Sequence, residues 1–118
     1  MSAAISYGTV SANCTHMDVL LTNLGKVSLN GGCSTTPATT GNSAIGLNNW
    51  QHVATTISSD TVRIYINGVL NSTITGVSFN TTSTLIAYFG KFLNPNNAAQ
   101  KYHLKGNLDE VAIWGRKL

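Results

Sequence analysis

The chain reads as an all-β protein, an antiparallel β-sandwich with little or no helix, and three observations lead there. First, residues 49–71 alternate with period two: Val53, Thr55 and Ile57 fall on one face of a strand, and Val62, Ile64 and Ile66 on one face of the next. Second, the turn signals sit where that alternation needs them. Ser59-Asp60 separates the two runs, and Asn67-Gly68 closes the second against Val69-Leu70, because a tight type I′ turn demands positive φ at two successive positions. Third, charged residues make up 9 % and apolar residues 42 % of the 118 positions, while Asn, Thr, Ser and Gly fill most of the rest, a composition that favours strands and turns.

Taken in order, strands are expected near residues 4–11, 16–22, 26–30, 43–47, 50–58, 61–67, 69–75, 84–90 and 107–114, each bounded by Gly, Asn, Pro or Ser clusters. The second and third form a hairpin turning at Asn23-Leu24-Gly25. The fifth to seventh form the three-stranded meander around the two turns just named, and the eighth holds the apolar run from Leu85 to Phe89. Residues 30–42 have no apolar period and read as a loop, as do residues 93–100, where Asn94-Pro95-Asn96-Asn97 makes a turn and Ala98-Ala99-Gln100 adds at most one irregular or helical turn. So many short strands are best housed in two sheets packed face to face, and the length fits one domain, 1–118, with one core.

Three segments carry a resemblance. Trp50-Gln51-His52-Val53-Ala54, then Val62-Arg63-Ile64-Tyr65-Ile66-Asn67-Gly68-Val69-Leu70, then Gly106-Asn107-Leu108-Asp109-Glu110-Val111-Ala112-Ile113-Trp114 resemble, in that order, the motifs of laminin-G-like, concanavalin A-like lectin/glucanase jelly-roll domains. The resemblance covers about residues 16–118 and implies a non-catalytic recognition module for carbohydrate or extracellular matrix, in a secreted or cell-surface protein. It also implies a structural Ca²⁺ at Asp109, with Asn107 as a further oxygen donor; the other role open to Asp109 is to accept loop N–H groups and fix the last strand. Domains of this kind carry an N-terminal strand and hairpin for which residues 1–15 are too few. The chain is therefore expected to be shortened, to expose a sheet edge that few charges protect, and to form a homo-oligomer by strand pairing or exchange.

For a sugar, the expected contacts are Arg63 and Tyr65, which share the face of their strand opposite Val62, Ile64 and Ile66, and the amide-rich stretch with Asn94, Asn96, Asn97, Tyr102 and His103; the other place open to Tyr65, a framework position of the resembled domains, is the core. Trp50, His52 and Trp114 are expected to pack in the interior. The alternative is an assembly module that binds copies of itself or another protein surface and takes no sugar.

Other classes find little support. A glycosidase needs two carboxyl groups flanking one bond, whereas the chain has only Asp18, Asp60, Asp109 and Glu110, the last two neighbours on opposite faces of an expected strand. No nucleophile elbow occurs, and nothing in the sequence ties a His to a carboxylate. The net charge of +3 comes from seven basic residues without a basic run, which argues against nucleic acid. No apolar run is long enough to insert in a membrane, and no export signal is read. Cys14 and Cys33 flank the first expected hairpin, so a disulfide and two free thiols both fit the spacing.

Overall fold

In a computed structural model, which describes residues 2–7, 16–31, 37–77, 87–93 and 101–116, the described residues form ten short strands and no helix. The strands are β1 (Ser2–Tyr7), β2 (Met17–Leu21), β3 (Val27–Gly31), β4 (Ala38–Thr39), β5 (Val53–Ser58), β6 (Thr61–Ile66), β7 (Val69–Ile74), β8 (Ala87–Phe89), β9 (Lys91–Leu93) and β10 (Lys101–His103). All pairings are antiparallel. One sheet has five strands in the order β4-β3-β2-β1-β8, a second has three in the order β5-β6-β7, and β9 and β10 form a separate two-stranded ribbon.

The core lies between the two larger sheets, because each turns its apolar residues inward. Val19, Val27, Leu29 and Ala38 from the first meet Val62, Ile64 and Ile66 from the second, with Val77 closing one end and Ile5, Met17, Leu21, Val53 and Ile74 packed around them. Burying one such side chain fully is worth about 1.5–3 kcal/mol. The sheets meet most closely where β7 faces β4, and there the Ser72 hydroxyl donates to the carbonyl of Thr39 at 2.8 Å. The five-stranded sheet also has an outer cover: Leu20 is buried beneath Phe92 and Tyr102 of the β9–β10 ribbon, whose rings stack at 5.6 Å.

The meander follows the expected register. Val53 pairs with Ile66 and Ser58 with Thr61, leaving Ser59-Asp60 as a two-residue turn, and Asn67 and Gly68 take φ of 51° and 79°, the two positive values of a type I′ turn. The turn after β2 also falls where expected, with Gly25 at φ 66°.

Three expectations are corrected. Residues 43–47 are not a strand: Ser43 N–H donates to Leu24 O and Ile45 N–H to Gly25 O, which folds the segment back onto the β2–β3 turn. The stretch read as a loop instead contributes β4, because Thr40 exchanges backbone and hydroxyl hydrogen bonds with Val27 and so holds Ala38 in the core. Of the second expected loop, Leu93 ends β9 and residues 94–100 lie outside the described residues. Residues 107–114 form no strand, since they have no ladder partner among the described residues, and all are exposed. Cys14 and Cys33 lie outside the described residues, as do Asn94, Asn96 and Asn97.

Candidate functional site

The outward face of the three-stranded sheet is built by two clamps. At one end, Asn67 N–H donates to His52 O at 2.8 Å while its side-chain oxygen accepts His52 N–H at 2.9 Å, so one residue both makes the turn and prolongs the β5–β6 ladder. At the other, Asp60 O accepts Val77 N–H at 3.0 Å and its carboxylate accepts Gly76 N–H at 3.4 Å, tying the β5–β6 turn to the chain leaving β7. Since Val62, Ile64 and Ile66 are buried, Arg63, Tyr65 and Asn67 must point outward.

Cross-strand neighbours complete three rows: His52 beside Asn67, Tyr65 between Ala54 and Leu70, and Arg63 between Thr56 and Thr73. Tyr65 and Arg63 are half-buried, while His52, Asn67 and Leu70 are exposed. A phenol flanked on one side by an alanine, with a guanidinium, an imidazole and an amide around it, offers a ring face for stacking and donors for hydroxyls. Arg63 has no carboxylate partner among the described residues.

Trp50 and His52 do not pack inside as the sequence suggested. The strand begins only at Val53, the preceding residues turn with Gly46 N–H held by Gln51 Oε1, and Trp50 is left 71 % exposed. Trp114 is likewise 58 % exposed, because the segment that carries it joins no sheet.

Tyr102 and His103 stand elsewhere. They belong to the ribbon over the five-stranded sheet, on the opposite side of the sandwich from Arg63 and Tyr65, with Tyr102 half-buried on Phe92 and His103 exposed. The expected sugar contacts therefore divide between two outer faces. Asp109 and Asn107 are exposed, and Asp109 Oδ1 accepts Glu110 N–H at 2.9 Å. These two side chains offer oxygens of the type calcium takes, but a full shell of six to eight would need carbonyls and waters as well. No group of three His, Cys, Asp or Glu side chains converges among the described residues.

One polar cluster was missed. Asp18 is buried on β2, its Oδ1 accepts the Ser6 hydroxyl at 2.7 Å, and its Oδ2 lies 3.8 Å from His16 Nε2. Burial pushes the Asp18 carboxyl above the usual range, while the Ser6 hydrogen bond and the nearby imidazole pull it back. A histidine is thus near a carboxylate after all, but the Ser6 hydroxyl donates to Asp18 and not to the imidazole, which differs from the serine–histidine–carboxylate order of a nucleophilic triad. The alternation of Met17, Val19 and Leu21 into the core places Asp18 on the other face. Its partner Ser6 could not be read, because no short-range signal encodes the register of β1 on β2.

The model of the Laminin_G_3 family, described as the concanavalin A-like lectin/glucanases superfamily, matches residues 3–118. No curated protein matches the chain significantly. Among solved structures, the chain is similar to the crystal structure of an S-layer domain-containing protein (residues 221–444) from Clostridium thermocellum, at 26 % identity and a TM-score of 0.57. That match takes in 99 % of this chain and 59 % of the other, so the chain spans little more than half of the structure it resembles.

Proposed function

Because the chain belongs to the concanavalin A-like lectin/glucanases superfamily, in its laminin G-like form, we propose that residues 1–118 are one non-catalytic recognition domain that binds glycan or extracellular matrix. The observation that carries this reading is the outward Tyr65–Arg63 face, half-open and rigidly clamped at both ends by Asn67 and Asp60. Absence of catalysis is supported by the four carboxylates: Asp18 is buried, Asp60 serves a turn, and Asp109 and Glu110 are adjacent, so none are seen to flank a cleft. A secreted or cell-surface setting is supported by the likeness to an S-layer domain-containing protein. Ca²⁺ held by Asp109 and Asn107 is part of the proposal as a structural ion.

A glycan array read with and without Ca²⁺ tests the proposal. Binding to a neutral or acidic glycan that is lost in Tyr65→Ala and Arg63→Ala supports it, and a dependence on Ca²⁺ that disappears in Asp109→Asn supports the ion. Silence across the array would refute glycan recognition.

The second reading is an assembly module, favoured by the exposed apolar side chains Leu47, Trp50, Val69, Leu70, Ile113 and Trp114. It takes a protein surface as partner, above all a further copy of the chain.

A further inference from the structure

Among the described residues the two sheets differ by two strands, and the deficit has a location. With β7 set against β4, the three-stranded sheet covers the five-stranded one from its β4 side and ends at β5 before reaching β1 and β8. Phe89 marks the uncovered part. It pairs with Ile5, whose side chain packs on the core, so it points to the same inner face, yet it is 54 % exposed. Ile57 on β5 also lies on an inward row, beside buried Val62, and is exposed. The outer edge of β5 has no ladder partner among the described residues, which leaves its N–H and C=O groups free to pair.

The chain also carries a segment with the complementary deficit. Residues 107–114 alternate as a strand does and display Leu108, Val111, Ile113 and Trp114 to solvent. They are held out of extended form at one point, where Glu110 has φ of 50° and its N–H is tied to Asp109 Oδ1. A left-handed glutamate is unfavourable, so extension of the segment along a partner would relieve it.

We propose that residues 107–114 are a donor strand that pairs along β5 of a second copy of this chain, and that two copies exchange these strands reciprocally. This deepens the self-association reading and does not depend on the glycan reading. Added beside β5, the segment would turn Val111 and Ile113 over the uncovered inner face near Ile57 and Phe89. Glu110 would then share the outer face with Thr56 and Arg63, the cation that lacks a carboxylate partner among the described residues. Opposite charges at two strands' separation lie within reach of these long side chains. The four apolar residues on that inner face, Val111, Ile113, Ile57 and Phe89, counted in both copies, would remove on the order of several hundred Å² of surface, and the backbone ladder along β5 supplies the rest of the interface, while Leu108 and Trp114 share the outer face with Glu110. A reciprocal exchange closes on itself and leaves no open filament.

The test is sedimentation of the 118-residue chain with amide hydrogen exchange across protein concentrations from about 1 to about 100 µM. A dimer is expected, with protection of residues 53–58 and 107–114 rising together as it forms. Ile113→Asp changes a side chain that is exposed in the single copy, so the fold should survive, and it should weaken the dimer about tenfold or more. A monomer at the highest concentration would overturn the proposal. So would a dimer that Ile113→Asp leaves unchanged, or protection of both segments that does not vary with concentration, which would place residues 107–114 on the β5 edge of their own copy. None of these outcomes bears on the glycan array.

Discussion

Ile64 and Tyr65 are neighbours on β6 that face opposite ways, and truncating each in turn tests the recognition face directly. Ile64 has no exposed surface. Ile64→Ala deletes three carbons, at ~0.8 kcal/mol for each buried methylene about 2.4 kcal/mol. A residual cavity of on the order of 60 Å³, at ~24 cal/mol per Å³, adds about 1.5, for a total of about 4 kcal/mol. Tyr65→Ala strips a half-buried ring from the outside, where water replaces it without a cavity, and should cost about 1.5 kcal/mol including lost strand propensity. Against a total stability of about 5–15 kcal/mol, only the first is severe. Urea unfolding followed by circular dichroism measures both, with the slope checked for constancy between variants. Glycan binding per folded molecule should then show the reverse order, kept in Ile64→Ala and lost in Tyr65→Ala. If Tyr65→Ala costs as much as Ile64→Ala, the ring is inside, the faces of β6 are inverted, and the recognition reading falls with them.

Asp18 supplies a pH prediction. Its carboxyl is raised by burial, so the folded state holds that proton more tightly than the unfolded state, and its contribution is full below the unfolded value near ~3.9 and lost as pH rises through the folded one. The stability difference between the native chain and Asp18→Asn should therefore shift towards the variant from acid to neutral pH; a constant difference in urea midpoints over that range would contradict it. Two glycines separate conformation from space. Gly68→Ala meets nothing within 4 Å and should cost only the left-handed backbone penalty, about 1 kcal/mol, whereas Gly25→Ala would set its Cβ 2.7 Å from the carbonyl oxygen of Ile45 and should cost about 3 kcal/mol. Thermal unfolding ranks the two, and equal costs would mean that residues 43–47 do not lie against the turn. Asn67→Ala removes the acceptor of His52 N–H and a residue suited to positive φ, and should lower stability by about 1–2 kcal/mol, with exchange of the His52 amide accelerated. An unprotected His52 amide in the native chain would rule out the clamp.

The meander was legible because each of its determinants is local: period-two alternation sets the faces, and Asn67-Gly68 sets the register within two residues. The same alternation puts Arg63 and Tyr65 on the face opposite Val62, Ile64 and Ile66 but leaves burial of Tyr65 open, because residue type alone does not say which face is covered. The failures are all non-local. Trp50 reads as core by residue type, but burial requires that a sheet extend to it, and β5 starts three residues later. Ala38 sits in an unpatterned stretch and is buried only because Thr40 finds Val27, thirteen positions away. The pairing of Ser6 with Asp18 depends on a strand register that no short-range signal encodes. Residues 107–114 carry a sound strand pattern without a ladder partner among the described residues, and pattern alone cannot supply one.

The double grip of Asn67 on His52 has a consequence for how this surface could change over time. On the proposed binding face, Arg63 and Tyr65 can be exchanged without touching a turn or ladder bond, whereas any replacement at Asn67 alters the hairpin itself. Diversification of the face should accordingly be concentrated on its middle rows, with the row nearest the turn kept as an invariant hinge pin.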